Sequence, residues 1–582
     1  MTIDSPRGSR ATLFALHRRP LALCLAALLA TSTSPAIAST LTVTSCDDSG
    51  AGSLRDTVAA AVSGDTIEFD AALACSTITL TSGAITIATG ADGQPLAALE
   101  IRGPGRNALT IDGNYTDRVF AHTAGADGSL LISNLAIHHG FTGGDGGCVV
   151  AEGAVGIAYA ELSECGAGVA TPASTPSGTG ARGGALAAAG NVTLTYSFVG
   201  DSKVDGGSGN AYGGGIFAGG TAFISRSTIT GNFATSDTGA TYGGGIAVGR
   251  PDAEVQGTLN AALSEIRNNS AFSHCGYCPV RGGGAFVYGS VGIGEGSISG
   301  NSAFSDAHYG AGGGLYFKSR SGGAPVVASL ASMNLGSNSA DNDGGAIGAA
   351  GDLLITWTTI SGNSARSGGA ILQLAGTLSL TDSLLTGNIA QANGGAIWQF
   401  GYGDVDVRNS TISENLAQEN GGAIANSYGS VHLSNATITG NTANGAGGGV
   451  WFDYPYYTLG IESTIVAGNT AGGSSNDIFA PGGTVEGSHD LIVAAPGLDV
   501  PADTIGDDPL LLPLSDNGGS TLTHAFAEGS PAIDAGSNPL GLSFDQRGSG
   551  FPRVAGIAAD IGAFEVQPGP PDDIIFANGF DP

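Results

Sequence analysis

Lysine is almost missing from this chain: only Lys203 and Lys318 occur in 582 residues, and the formal net charge is −30. A surface this acidic repels nucleic acid, anionic lipid and polyanionic glycans. It counts against a polyuronate substrate, whose carboxylates need cations to meet them. It suits solubility outside the cell, and the one cofactor it favours is Ca²⁺. Proline is held to 23 and no strict Gly-x-y period exists, so the 99 glycines do not make a collagen. No stretch of helical period is long enough to compete with strands, and beyond the N-terminal leader no apolar run approaches membrane length. Gly-x-Ser-x-Gly elbows, His-Glu-x-x-His helices and phosphate loops are also missing. His138, His139 and His524 therefore have no nucleophile at a recognisable spacing and read as surface or turn residues.

What is present is a repeat. Gly-Gly-Ala-Ile occurs at Gly344–Ile347, Gly368–Ile371, Gly394–Ile397 and Gly421–Ile424, with looser copies at Gly183, Gly214, Gly244, Gly283, Gly313 and Gly448. Between them runs Ile-x-Gly-Asn, ending at Asn232, Asn301, Asn363 and Asn441, with looser copies from Leu385 to Asn388 and from Ile412 to Asn415. A period of roughly 25 residues marks stacked units that bury their apolar faces only against their neighbours. Ser410-Thr411-Ile412-Ser413 and Asn435-Ala436-Thr437-Ile438-Thr439 are β-branched and alternate, so Ile points in and Ser/Thr out. Asn at a fixed coil position predicts an axial amide ladder that satisfies the turn backbone. These requirements predict an all-β protein, a right-handed parallel β-helix.

Over roughly residues 180–470 the alternating motifs resemble the repeats of bacterial polymorphic outer-membrane proteins. Ile or Leu usually replaces that family's Phe, and no C-terminal membrane barrel follows. The early segment Cys46…Ser53-Leu54-Arg55-Asp56 is similar to the N-terminal region of secreted β-helix proteins with a Cys-Ser-Leu-Arg-Glu-Ala type motif. In physical terms, Ser53 and Asp56 are an N-cap and its N3 acid, opening a short helix over Leu54–Val62 that covers the edge of the first coil. Ser530–Gly536, Asp545-Gln546-Arg547-Gly548 and Asp560–Glu565 together resemble the signature of choice-of-anchor Q domain proteins, which share a β-helix body and vary their sorting device.

The ends predict export. Arg7, Arg10, Arg18 and Arg19 precede an apolar core, and Ala36-Ile37-Ala38 supplies a cleavage site, so residues 1–38 read as a secretory signal peptide. The remaining boundaries are 39–95 for an N-terminal cap and first coils, 96–500 for the β-helix, and 501–567 for the choice-of-anchor Q-like region. Residues 568–582 are a linker and tail, similar to the short tails of some Gram-negative secreted proteins; this places the chain outside the cell or on the outer surface of a Gram-negative bacterium. Six cysteines past the leader fall into local pairs, and short loop closure favours Cys46/Cys75, Cys148/Cys165 and Cys275/Cys278 as disulfides.

Candidate sites are few. Asp404 and Asp406, two apart in a strand, would put both carboxylates on one face, as glycoside hydrolysis needs; a solvated acidic strand with Arg408 beside it is the alternative. Asp341 and Asp343 resemble a fragment of a calcium loop without its downstream ligands, or a turn held by Asx hydrogen bonds. Trp398 and Trp451 follow the apolar residue of their repeats two coils apart, about 10 Å along the axis, with Ala425 between them. Tyr454, Tyr456 and Tyr457 crowd the same region, and Phe400 and Phe452 compete for the interior. Exposed aromatic rows suit sugar rings or partner proteins. The sequence thus points to a non-enzymatic surface protein contacting polysaccharide, matrix or other cells, with a hydrolase or lyase acting on neutral glycans as the alternative.

Overall fold

The computed structural model of the chain describes residues 38–168, 180–320, 322–323, 325–453, 456–472, 477–481 and 484–568. Nearly all of the expected signal peptide, Tyr454 and the tail from 569 onward lie outside the described residues.

Strands pair in parallel from coil to coil, from Thr40–Val43 through Val405–Arg408 to Thr484–Ser488. This is the expected parallel β-helix, wound in the right-handed sense that strand twist imposes on connections between parallel strands. One coil gives the pattern. Ile397–Gln399 turns into Val405–Arg408, and a single left-handed residue, Asn409, bends the chain into Thr411–Ser413. Glu414 bends it again into Leu416–Ala417, and Gly421-Gly422 closes the coil onto Ile424–Asn426. Val405, Val407, Ile412 and Ile424 are fully buried, so the core is the axial stack of these β-branched residues. Gly421 sits at φ +67°, and a Cβ on Gly422 would meet Gly448 O at 2.1 Å. The first glycine makes the turn and the second lets successive coils close on each other. Leu416–Ala417 belongs to a 12-stranded wall, and a short 5-stranded sheet runs from Ala181–Arg182 to Gly310–Ala311.

The amide ladder forms as expected. Each Nδ2 donates to the next Oδ1 at 2.9–3.0 Å, from Asn232 through Asn269, Asn301, Asn338, Asn363, Asn388, Asn415 and Asn441 to Asn469. It ends on Asp477, which accepts from Asn469 Nδ2 with Oδ1 and from the Ala494 amide with Oδ2. A carboxylate suits that position because the last rung needs two acceptors and no donor. Hydroxyls at the neighbouring corner do the same more simply: Thr358 N donates to Ser383 Oγ, and Ser383 N to Ser410 Oγ. That column also ends on an aspartate, Asp490, whose Oδ1 accepts from Thr464 N.

Asp490 is fully buried and its Oδ2 has no hydrogen-bond partner among the described residues. Burial pushes its pKa up to about 8, with Glu462 and Asp503 adding to the rise against the Thr464 hydrogen bond. The folded chain keeps this proton to a higher pH than the unfolded chain does. Its contribution is therefore complete in acid and is lost as pH rises from about 4 to about 8. Denaturant titrations across that range are expected to give a shallower fall in stability for Asp490→Asn than for the native chain. Equal slopes would remove Asp490 as the cause.

Both ends are closed. The N-terminal helix, Leu54–Ala60, is capped by Ser53 Oγ accepting from Asp56 N at 3.2 Å, and buries Leu54 and Val58 against the first coils. It stops two residues short of the expected Val62 because Ala61 is already extended. At the other end Ala495, Leu498 and Val500 pack on the core, and Ile505 bridges to Leu491. Residues 511–567 then fold back along the flank of the helix. All three expected disulfides form, Cys46–Cys75, Cys148–Cys165 and Cys275–Cys278. No helix among the described residues is long and apolar enough to cross a membrane.

The three C-terminal motifs meet in one buried network. Asp545 Oδ2 accepts from Arg547 Nη2 at 2.6 Å, Arg547 Nη2 also donates to Glu565 O, and the Arg547 guanidinium lies between the rings of Phe551 and Phe564. Glu565 accepts from the amides of Ala555 and Asp560, and Asp560 from those of Asp534 and Val566. Gln546 Oε1 accepts from Thr411 Oγ1 at 2.6 Å, which fastens the network to the coil beneath it.

Candidate functional site

Ile397 and Val450 point inward, so alternation places Trp398 and Trp451 outward. The register gives one outward column: Leu372, Trp398, Ala425, Trp451 and Phe479 in successive coils. The two indoles, half-buried, stand two rungs apart, about 10 Å along the axis. The contest for the interior is settled by the next inward position, where Gln373, Gln399, Asn426 and Phe452 stack. Phe452 is buried and Phe400 is 47% exposed.

The buried amides hold the loops that carry further rings. Gln399 Nε2 donates to Gly401 O at 2.6 Å and Gly403 O at 3.0 Å, and Asn426 Nδ2 donates to Gly429 O at 2.6 Å. Phe400, Tyr402 and Tyr428 are fixed on these turns. Trp398 and Phe400 lie 4.7 Å apart between centroids, and Tyr402 and Tyr428 5.5 Å. Tyr402 and Tyr456 are 76% and 84% exposed. The outcome is a strip of outward aromatic rings beside one edge of the helix. Sequence reasoning named Trp398, Trp451, Tyr456 and Tyr457 for it and missed Phe400, Tyr402 and Tyr428. The available signal was the glutamine at an inward position, which marks a structured turn. Tyr457 packs on the main core instead of standing on the strip, and Tyr454 is outside the described residues.

The carboxylates singled out by the sequence each have partners of their own. Asp404 precedes the strand Val405–Arg408 rather than lying in it, and its Oδ1 accepts from Ser430 N at 3.0 Å. Asp406 is on the strand, ion-paired with Arg408 Nη2 at 3.1 Å, with Ser379 and His432 as its neighbours along the column. Asp341 uses both oxygens on backbone amides, those of Gly310 and Ser305, each at 2.6 Å. Burial raises its pKa, and pushes that of Asp343 to about 6 against the pull of Arg281 and Arg366. Among the described residues no three His, Cys, Asp or Glu side chains are grouped to hold a metal ion. His139 lies between Asp112 and Glu164, at 3.1 and 3.3 Å, and His138 is 3.4 Å from Glu161. His524 is buried rather than at the surface, with Nδ1 on Leu512 O.

No protein-family model matches the chain, and neither does any curated protein. Among solved structures it is similar to the crystal structure of pectate lyase Pel9A, with a TM-score of 0.23 and 12% identity over 91% of this chain and 97% of that one. The fold described above rests on the strand register itself, not on that likeness.

Proposed function

We propose that this chain is an exported β-helix protein that holds neutral polysaccharide on its outward aromatic strip, in an adhesive or structural role at the outer surface of a Gram-negative cell. The observation that carries this reading is the outward column that holds Trp398 and Trp451, with Phe400, Tyr428 and Tyr402 following from Trp398 ring by ring. Aromatic faces take the C–H faces of sugar rings without needing charge. The −30 charge favours a neutral glycan over a uronate or sulfated one. Three disulfides and the leader-like N-terminus support export. An extended β-1,4-linked chain turns each ring over from the last and shows the same face at every second ring, a repeat that matches the about 10 Å between the two indoles.

Pull-down on insoluble cellulose, mannan and xylan tests the reading. At least one of these should retain the protein, and Trp398→Ala and Trp451→Ala should each weaken retention roughly tenfold, as loss of a central aromatic anchor does. Retention on none of the three, or retention indifferent to both substitutions, would refute it.

A further inference from the structure

A column of left-handed residues runs up one corner of the helix, one per coil, and includes Ser332, Trp357, Asp382, Asn409, Asn435 and Ser463. Its upper part is covered by the C-terminal region. Asn409 Nδ2 donates to Phe544 O at 3.2 Å, Asn435 Nδ2 to Ser537 O at 2.9 Å, and Ser537 N to Ser463 Oγ at 2.9 Å. Cover stops at Asn409. Just below it, Asp382 and Trp357 open into a cleft of about 440 Å³ whose other wall is the loop around Phe544.

The lining combines three kinds of group. Trp357 and Phe544 are 47% and 40% exposed. Trp357 stands at φ +46°, a conformation that bulky side chains seldom adopt and that Asn takes readily. Asp382 Oδ1 accepts from Asn409 Nδ2 at 2.6 Å, while its Oδ2 has no hydrogen-bond partner among the described residues. Ser332, Ser520, Ser543 and Ser549 supply hydroxyls around it. Arg547 also lines the cleft, but its guanidinium is committed to Asp545, Glu565 O and two phenyl rings, so the cleft offers no free cation to an anionic ligand.

We propose that this cleft is a second saccharide-binding site, taking a short run of a neutral sugar chain, with Trp357 as the stacking platform and Asp382 as the carboxylate that receives sugar hydroxyls. Ring faces and a bare carboxylate oxygen among hydroxyls are the complement of a pyranose, which has an apolar face and a rim of donors. The site stands on residues other than those of the aromatic strip and does not depend on it. Burial, offset in part by Asn409 and reinforced by Asp545, pushes the Asp382 pKa up to about 6. Sugar hydroxyls donate better to the ionised form, so affinity should climb as pH rises through that value. Asp545 and Arg547, the other charged groups lining the cleft, are paired with each other.

Calorimetric titration of the purified protein with linear hexaoses of β-1,4-linked glucose, mannose and xylose, at pH 5 and pH 7.5, decides the matter. The variants are Trp357→Asn, which keeps a residue at home in the left-handed corner, Asp382→Asn, and the double variant Trp398→Ala/Trp451→Ala to silence the strip. At least one hexaose should bind that double variant. That binding should fall tenfold or more when Trp357→Asn is added and several-fold with Asp382→Asn. The pH dependence should vanish in Asp382→Asn. Melting temperatures of the variants near that of the parent exclude misfolding as the cause. Absence of binding by the Trp398→Ala/Trp451→Ala protein to all three hexaoses, or binding by it that survives both corner substitutions, would overturn the proposal while leaving the strip untouched.

Discussion

Arg547→Ala is expected to destabilise the C-terminal region by about 3–5 kcal/mol, because it strands Asp545 as an uncompensated buried charge. The Asp545 side chain is fully buried and that of Arg547 is 4% exposed. The pair is bidentate, with Arg547 Nε 3.2 Å from Asp545 Oδ1 and Nη2 2.6 Å from Asp545 Oδ2. Loss of the guanidinium also empties the gap between Phe551 and Phe564, whose centroids lie 4.0 and 3.9 Å from it. A desolvated cation between two rings contributes on the order of 2 kcal/mol in its own right. The effect should be regional. The helix has its own continuous core, whereas residues 511–567 lack long strands and rely on this network and on the small cluster around Ile465, Leu491, Ala532 and Ile561. Limited proteolysis should therefore nick the variant in that region first, with the β-helix body remaining as a resistant core. A cleavage pattern and denaturation midpoint equal to those of the native chain would show that the network is dispensable.

Asn415→Ala, in the middle of the amide ladder, should cost about 3 kcal/mol or more, since several buried groups lose partners at once. Asn415 Oδ1 accepts from both the backbone amide and Nδ2 of Asn388, at 3.0 and 2.9 Å. Its own Nδ2 donates to Leu385 O, Ser413 O and Asn441 Oδ1. Asn415→Asp should be no better: it restores the acceptor but sets a carboxylate oxygen against Asn441 Oδ1. Asp477→Asn, at the ladder's end, should cost less, about 1–3 kcal/mol, because only the Ala494 amide loses its acceptor. Urea unfolding of the three variants gives the ranking directly. A mid-ladder loss no larger than the end loss would mean that the ladder is a passenger of the β-core rather than a support for it.

Much of this was legible in the sequence, for a definite reason. In a stacked repeat every contact recurs at a fixed offset, so a residue type seen at one coil reports on its neighbours above and below. That is why the inward Ile412, the glycine turn at Gly421-Gly422, the Asn415 ladder and the outward Trp398 and Trp451 could all be placed from periodicity. The local cysteine pairs and the Ser53 cap were readable too, being set by short-range chain geometry. Phe400 shows where period alone fails: it lies just past a strand end, where alternation lapses, and its direction is set by Gln399 turning inward to bind the next loop.

The tertiary structure decided what lies between segments far apart in the chain. Nothing in the spacing of Ser530–Gly536, Asp545–Gly548 and Asp560–Glu565 says that they converge on one buried network, or that Ser537 and Phe544 beside them dock on Asn409, Asn435 and Ser463 more than 70 residues upstream. Such contacts have no period. Only the docked C-terminal region turns Trp357 and Asp382, two residues of a left-handed corner, into the wall of a cleft. The sequence by itself determined the coil, because each coil's environment is another copy of itself; the cleft required the fold, because its two walls come from parts of the chain that share no repeat.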